Sequence, residues 1–64
     1  MTELRLIRQN QGLSRSELAV KARVGEKTIF RAETGQPVRR ITLAKICKAL
    51  GVRIEDVPGL NILD

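Results

Sequence analysis

Apolar residues recur along the chain at helical spacing, and no segment alternates with period two, a pattern that predicts an all-α fold. The punctuation falls at Gly12, Gly25, Gly35-Gln36-Pro37, Gly51 and Pro58-Gly59, and the stretches between these marks have helical length. The first, from about Thr2 to Asn10, sets Leu4, Ile7 and, at its flank, Leu6 on one face, with Thr2 as a candidate cap. Gly12 stops it as a left-handed C-terminal glycine does. Ser14-Arg15-Ser16-Glu17 has capping-box spacing, Ser at N-cap and Glu three residues on. Behind it Leu18, Ala19 and Ala22 form the inward stripe of a short second helix that ends near Lys21 or Ala22. A third helix starts about four residues later, near Glu26, entered through Gly25 or a 3₁₀ turn; Ile29 points inward with Ala32 beside it, and Gly35 ends it. In a fourth, from about Arg40 to Leu50, the residues Leu43, Ile46, Cys47 and Leu50 recur at i, i+3, i+4 and i+7. Arg53 to Val57 is at most one helical turn. The tail after it is too short to pack alone yet rich in aliphatics.

Length narrows this to one domain, residues 1–64, with a core over about 2–57 and a tail over 58–64. Such a chain buries only about 60% of its unfolded surface, so its stability is marginal. Histidine, tryptophan and tyrosine are absent and cysteine occurs once. These absences exclude a Ser-His-Asp triad, a Cys-His pair, a His-ligated metal and a four-ligand zinc site. No cofactor or metal is expected, and an enzyme is the least supported class. One cysteine forms no internal disulfide, which points to a reducing cytoplasm. Cys47 lies on the inward face of the fourth helix and reads as packing, with redox sensing as the lesser alternative. No apolar run approaches the ~20 residues of a membrane span, and no signal-peptide pattern is present.

Charge adds a direction. Lysine and arginine number 12 against 7 acids. Residues 1–23 hold five cations and two acids, residues 24–40 four and two, and residues 41–64 three and three. The whole excess of +5 thus sits in the first forty residues. A basic half beside a neutral half suits a polyanion-binding face. A solvated basic surface kept for solubility is the competing reading.

Two short helices joined by a three- or four-residue turn and braced on both sides have a helix-turn-helix layout. In that layout the second helix projects into a major groove about 12 Å wide while the first crosses the backbone. Ala19 sits where the two pinch together, and Ile29 anchors the rotation of the third helix. Glu26, Lys27, Phe30 and Arg31 then face outward.

Gly12-Leu13-Ser14-Arg15-Ser16-Glu17-Leu18-Ala19, followed by Glu26-Lys27-Thr28-Ile29-Phe30-Arg31-Ala32-Glu33-Thr34-Gly35, resembles the lambda-repressor-like, Cro/XRE-type helix-turn-helix family. Thr42 to Val52 is similar to that family's fourth helix, and the likeness covers roughly residues 3–57. The resemblance implies a compact domain of four to five helices with the helix-turn-helix at helices two and three. It also implies a DNA-binding transcriptional regulator, commonly a homodimer. Carried over by position, Glu26, Lys27, Phe30 and Arg31 are the base-contacting residues. Arg15 falls where the family usually has a glutamine that touches phosphate, and Thr28, Thr34, Gln36, Arg39 and Arg40 fall near the DNA backbone. Arg8 and Glu33 match a pair that ties helix one to the end of helix three. Arg23 stands where the family often has glycine.

Each role has a plainer competitor. The fork of Arg31 matches guanine O6 and N7, or else it meets a phosphate or solvent. Lys27 divides between base edge and phosphate. Glu26 accepts from cytosine, or simply complements the helix N-terminus. Phe30 packs on thymine methyls, or belongs to the core.

The expected function is a sequence-specific binder of double-stranded DNA. It would be a repressor of bacterial, phage or plasmid origin that holds an inverted-repeat operator as a homodimer. Ile54, Val57, Leu60, Ile62 and Leu63 supply a dimer or partner seam, or else cap the open end of the helices within one monomer. A protein-interaction module, such as an antitoxin whose C-terminal region binds a partner protein, is the alternative. An RNA-binding helper is weaker still, because RNA recognition leans on stacking aromatics and the chain has one Phe.

Overall fold

A computed structural model of the chain describes residues 2–64. It contains α1 (Leu4–Asn10), α2 (Arg15–Ala22), α3 (Glu26–Glu33), β1 (Val38–Arg39), α4 (Arg40–Leu50), a 3₁₀ turn (Ile54–Asp56) and β2 (Ile62–Leu63). Four helices lie where the apolar spacing predicts them.

Local chemistry sets most of the boundaries. The Ser14 hydroxyl accepts from the Glu17 N–H at 3.1 Å, and the Glu17 carboxylate accepts from the Ser14 N–H at 2.8 Å. These bonds satisfy donors that a helix start leaves open. They also hold the Glu17 carboxyl below its usual range, the backbone bond to Ser14 contributing most. A depressed carboxylate stabilises the fold above its unfolded value, and that contribution fades as pH falls through the folded one. Gly51 ends α4 at φ 74°, and Gly12 follows α1 at φ 73°, left-handed positions that suit glycine. Arg23 closes α2 in the same region, at φ 59° and ψ 45°. An arginine there costs about 1 kcal/mol relative to glycine.

Thr2 caps the start of α1, its hydroxyl accepting from the Leu4 N–H at 3.3 Å, and it does more than that. Glu3 occupies the N-cap of α1 without a side-chain bond. Thr2 is also buried: its N–H donates to the Glu33 carbonyl at 3.1 Å and its hydroxyl lies 3.3 Å from the Ala32 carbonyl. The residue therefore fastens the start of α1 to the end of α3, where the Glu33 carbonyl, beyond the reach of the helix's own donors, takes the Thr2 N–H.

The core is built from Leu4, Leu18, Ile29, Leu43, Ile46 and Cys47, all essentially inaccessible, with Leu50, Val38 and Val57 closing it. Each large side chain contributes about 1.5–3 kcal/mol through removal from water. Ala19 and Ala22 are small enough to let α2 lie close to its neighbours. Burial pushes the Cys47 thiol above its usual pKa.

The tail holds a feature that helical spacing does not predict. β1 and β2 form a parallel pair with Val38 opposite Ile62 and Arg39 opposite Leu63. The Val38 N–H donates to the Asn61 carbonyl at 3.0 Å. Two residues per strand are too few to leave a period-two signature. The pairing folds the tail onto its own chain: Ile54, Leu60 and Ile62 pack half-buried against the core. Val57, read as a seam residue, is only 4% exposed and has no surface left for a partner.

Helices α1, α2 and α3 meet at the Glu33 carboxylate. Arg8 binds it through both Nε and Nη2, the latter at 3.2 Å, and Arg15 Nε approaches it at 3.3 Å. Arg8 also donates to the Leu13 carbonyl at 2.8 Å. Glu33 and Arg8 are buried, whereas Arg15 reaches in from the surface. Removing one partner of such a pair strands a buried charge. Glu33→Ala is accordingly expected to lose about 3–5 kcal/mol, enough to unfold much of a small domain, as urea titration followed by circular dichroism will measure.

Candidate nucleic-acid interface

The faces of α3 are sharply divided. Ile29, Ala32 and Glu33 are buried, while Glu26, Lys27, Phe30 and Arg31 are exposed. Ile29 in the core and Glu33 in its ion pairs fix the rotation of the helix from two directions. Eight residues at about 1.5 Å each make a rod about 12 Å long, short enough to lie within a major groove.

Phe30 is not a core residue, since 45% of it is accessible. The Arg15 guanidinium lies over its ring, 5.1 Å from the centroid, and the Nε of the same arginine binds Glu33. The carboxylate thus holds the cation, and the cation steadies the ring, at a distance suited to cation–π attraction. Arg15, Glu26, Lys27 and Phe30 together line a shallow recess of about 400 Å³.

On the other flank Arg31 donates from Nη2 to the Pro37 carbonyl at 3.1 Å. Thr28, Arg31, Arg39 and Thr42 border a second recess, about 210 Å³, that Leu63 closes from the tail. Thr34 turns its hydroxyl back to the Phe30 carbonyl at 2.9 Å, and Gln36 donates to that hydroxyl at 3.0 Å. Both residues therefore shape the turn after α3. Arg39 occupies the N-cap of α4 and is exposed, with no ion pair among the described residues. Arg40 pairs with Asp64 at 3.0 Å, both side chains being largely exposed.

The four residues Glu26, Lys27, Phe30 and Arg31 share one face, flanked by Arg15 on one side and Arg39 on the other, whereas Arg40 borders a separate recess with Ala44, Lys48, Arg53 and Glu55. Ile54 on the 3₁₀ turn and Leu60 and Ile62 on the tail stand apart, whereas Leu63 reaches the recess beside Arg31. Three features escaped sequence reasoning: the contact of Arg15 with Glu33, the Arg40–Asp64 pair and the presence of Thr42 and Leu63 beside Arg31. All three join residues far apart in the chain, and no local spacing signals them.

Chemically, the face offers forked donors, an exposed ring and one acidic acceptor, with cations on both sides. Arginine forks match guanine edges and phosphates, and an apolar ring matches thymine methyls. Among the described residues no group of three His, Cys, Asp or Glu could hold a metal ion, and no helix is long and apolar enough to cross a membrane.

A family model described as helix-turn-helix matches residues 4–57. Neither a curated protein nor a solved structure shows significant similarity to the chain. From the sequence, Arg31 and Arg40 have different expected roles, which can be tested. Arg31→Ala is expected to relax preference at one base position by about 1–3 kcal/mol, whereas Arg40→Ala weakens binding to all sequences alike. Binding titrations against a panel of single-base operator variants check this, and equal uniform losses from both would remove Arg31 from base readout.

Proposed function

The chain belongs to the Cro/C1-type helix-turn-helix family and is a DNA-binding regulator, and from that premise we propose that it is a repressor that binds an inverted-repeat operator as a homodimer. The observation that carries the reading is the exposed face of α3, where Glu26, Lys27, Phe30 and Arg31 project together from a helix anchored by Ile29 and Glu33. Arg31 and Lys27 read base edges and Phe30 meets thymine methyls. Glu26 accepts from a cytosine amine. Arg15, Thr28, Thr34, Gln36, Arg39 and Arg40 settle the domain on the backbone.

One helix of this length reads only a few base pairs. A two-fold dimer doubles the contacts by placing two such helices about 34 Å apart on successive turns of one duplex face. The tail supports such a seam. β2 has β1 on one side and, among the described residues, no strand on the other, and Leu63 on it is 48% exposed. Ile41, at the start of α4, is 68% exposed and is a further apolar residue that sequence reasoning left out. An unpaired edge with apolar side chains is suited to joining another strand. Repression then follows from occlusion of a promoter, in the cytoplasm where the DNA lies.

Selection from a pool of random duplexes at near-physiological salt tests the proposal. Enrichment of an inverted repeat is the expected outcome. A pool that stays random, with a monomer in sedimentation, would overturn it and favour a protein-interaction module. Affinity for the selected site should fall about 10³–10⁵-fold between about 50 and about 200 mM salt, as for about 6–10 phosphate contacts per dimer.

A further inference from the structure

A groove of about 770 Å³ runs between the C-terminal parts of α2 and α4 and shares no residue with the exposed face of α3. Lys21, Arg23, Lys45 and Lys48 border it, and no acidic residue lines it. None of the four cations forms an ion pair among the described residues, whereas Arg8, Arg15, Arg40 and Arg53 are all paired. Lys21 and Lys48 lie in the last turns of α2 and α4, where they complement the helix dipoles. Lys45 has no such task. Arg23 is kept in a left-handed conformation that glycine would occupy without strain. A strained residue whose side chain joins an unpaired cationic rim is an outlier of the kind that marks a functional surface.

The floor decides what the groove takes. It is apolar: Ala22 and Leu50 are buried beneath it, and the partly exposed Ala49 gives it its accessible apolar surface. The Leu50 carbonyl already accepts from Gln11 Nε2 at 2.7 Å. Two helices bring their carbonyl ends here, so a phosphate seated deep in the groove would face the negative ends of both dipoles. Carboxylates on short side chains instead reach the cations at the rim while an apolar neighbour rests on the floor.

We propose that this groove docks an acidic peptide segment of a partner protein, with carboxylates on Lys21, Arg23, Lys45 and Lys48 and an apolar side chain over Ala49. Because the groove is separate from the α3 face, the domain holds a partner and a duplex together. This surface stands whether or not the operator is an inverted repeat.

The test uses the full chain, isotopically labelled for NMR and titrated at near-physiological salt. The probes are a synthetic peptide of alternating Glu and Leu, a Glu-only peptide of equal length and a random-sequence duplex. The Glu-Leu peptide is expected to saturate and to shift amides of residues 21–23 and 45–51. Lys45→Glu combined with Lys48→Glu should weaken it at least about tenfold, since like charges then face its carboxylates. Arg23→Gly, which relieves the backbone and leaves the fold intact, should weaken it several-fold. Shifts centred on residues 26–31 and 39–40 would overturn the proposal, because the peptide would then merely imitate DNA. So would binding without saturation, equal binding of the Glu-only peptide, or a duplex that shifts 21–23 and 45–51 as strongly.

Discussion

The domain depends on one carboxylate. Glu33 ends α3, yet its side chain turns inward to meet Arg8 from α1 and Arg15 from α2. Its backbone carbonyl receives the N–H of Thr2, so the start of the chain is tied to the same residue. A buried ion pair is poor evidence of net stability, because desolvation offsets much of the attraction. Its value here is positional. Apolar packing around Ile29 tolerates small rotations of α3, whereas a two-point guanidinium–carboxylate contact has a directional optimum. The buried pair thereby sets which side of α3 meets solvent.

From that fixed rotation the character of the surface follows. Arg15 is shared between the interior and the exterior: one part of its guanidinium serves Glu33 and its plane covers Phe30. A single exposed phenylalanine is ordinary on a protein surface and is free to change rotamer. Covered by a cation that is itself restrained, it becomes an ordered part of the face. The flank beyond it is organised by backbone acceptors, with Arg31 held at the Pro37 carbonyl. Side chains ordered before a ligand arrives lose less entropy on binding it.

Much of the fold was legible because its signals are local. The capping box at Ser14 and Glu17, the apolar stripe through Leu43, Ile46, Cys47 and Leu50, and the left-handed glycines at 12 and 51 each act within a turn or two. Sequence spacing also separated Ile29 from Phe30, one inward and the other outward. What stayed hidden is non-local. Thr2 reads as a cap and does accept from the Leu4 N–H, but its second attachment, to the carbonyls at the end of α3, has no local signal. Val38 and Ile62 meet only after the chain has turned back, and a two-residue strand leaves no periodic trace. Val57 looked like spare apolar surface until the fold enclosed it. Arg15 could be placed beside the exposed side chains of α3, but not its tether to Glu33, eighteen positions away.

The sulfur of Cys47 is the only thiol in the chain, and it is enclosed by the core. A thiol reagent in solution meets it only when α4 separates from its neighbours. In the regime where opening is fast relative to labelling, the modification rate reports the equilibrium population of that open state. The molecule thus carries a built-in gauge of its own breathing. A ligand that tightened the packing of α4 would slow the reagent without touching the sulfur.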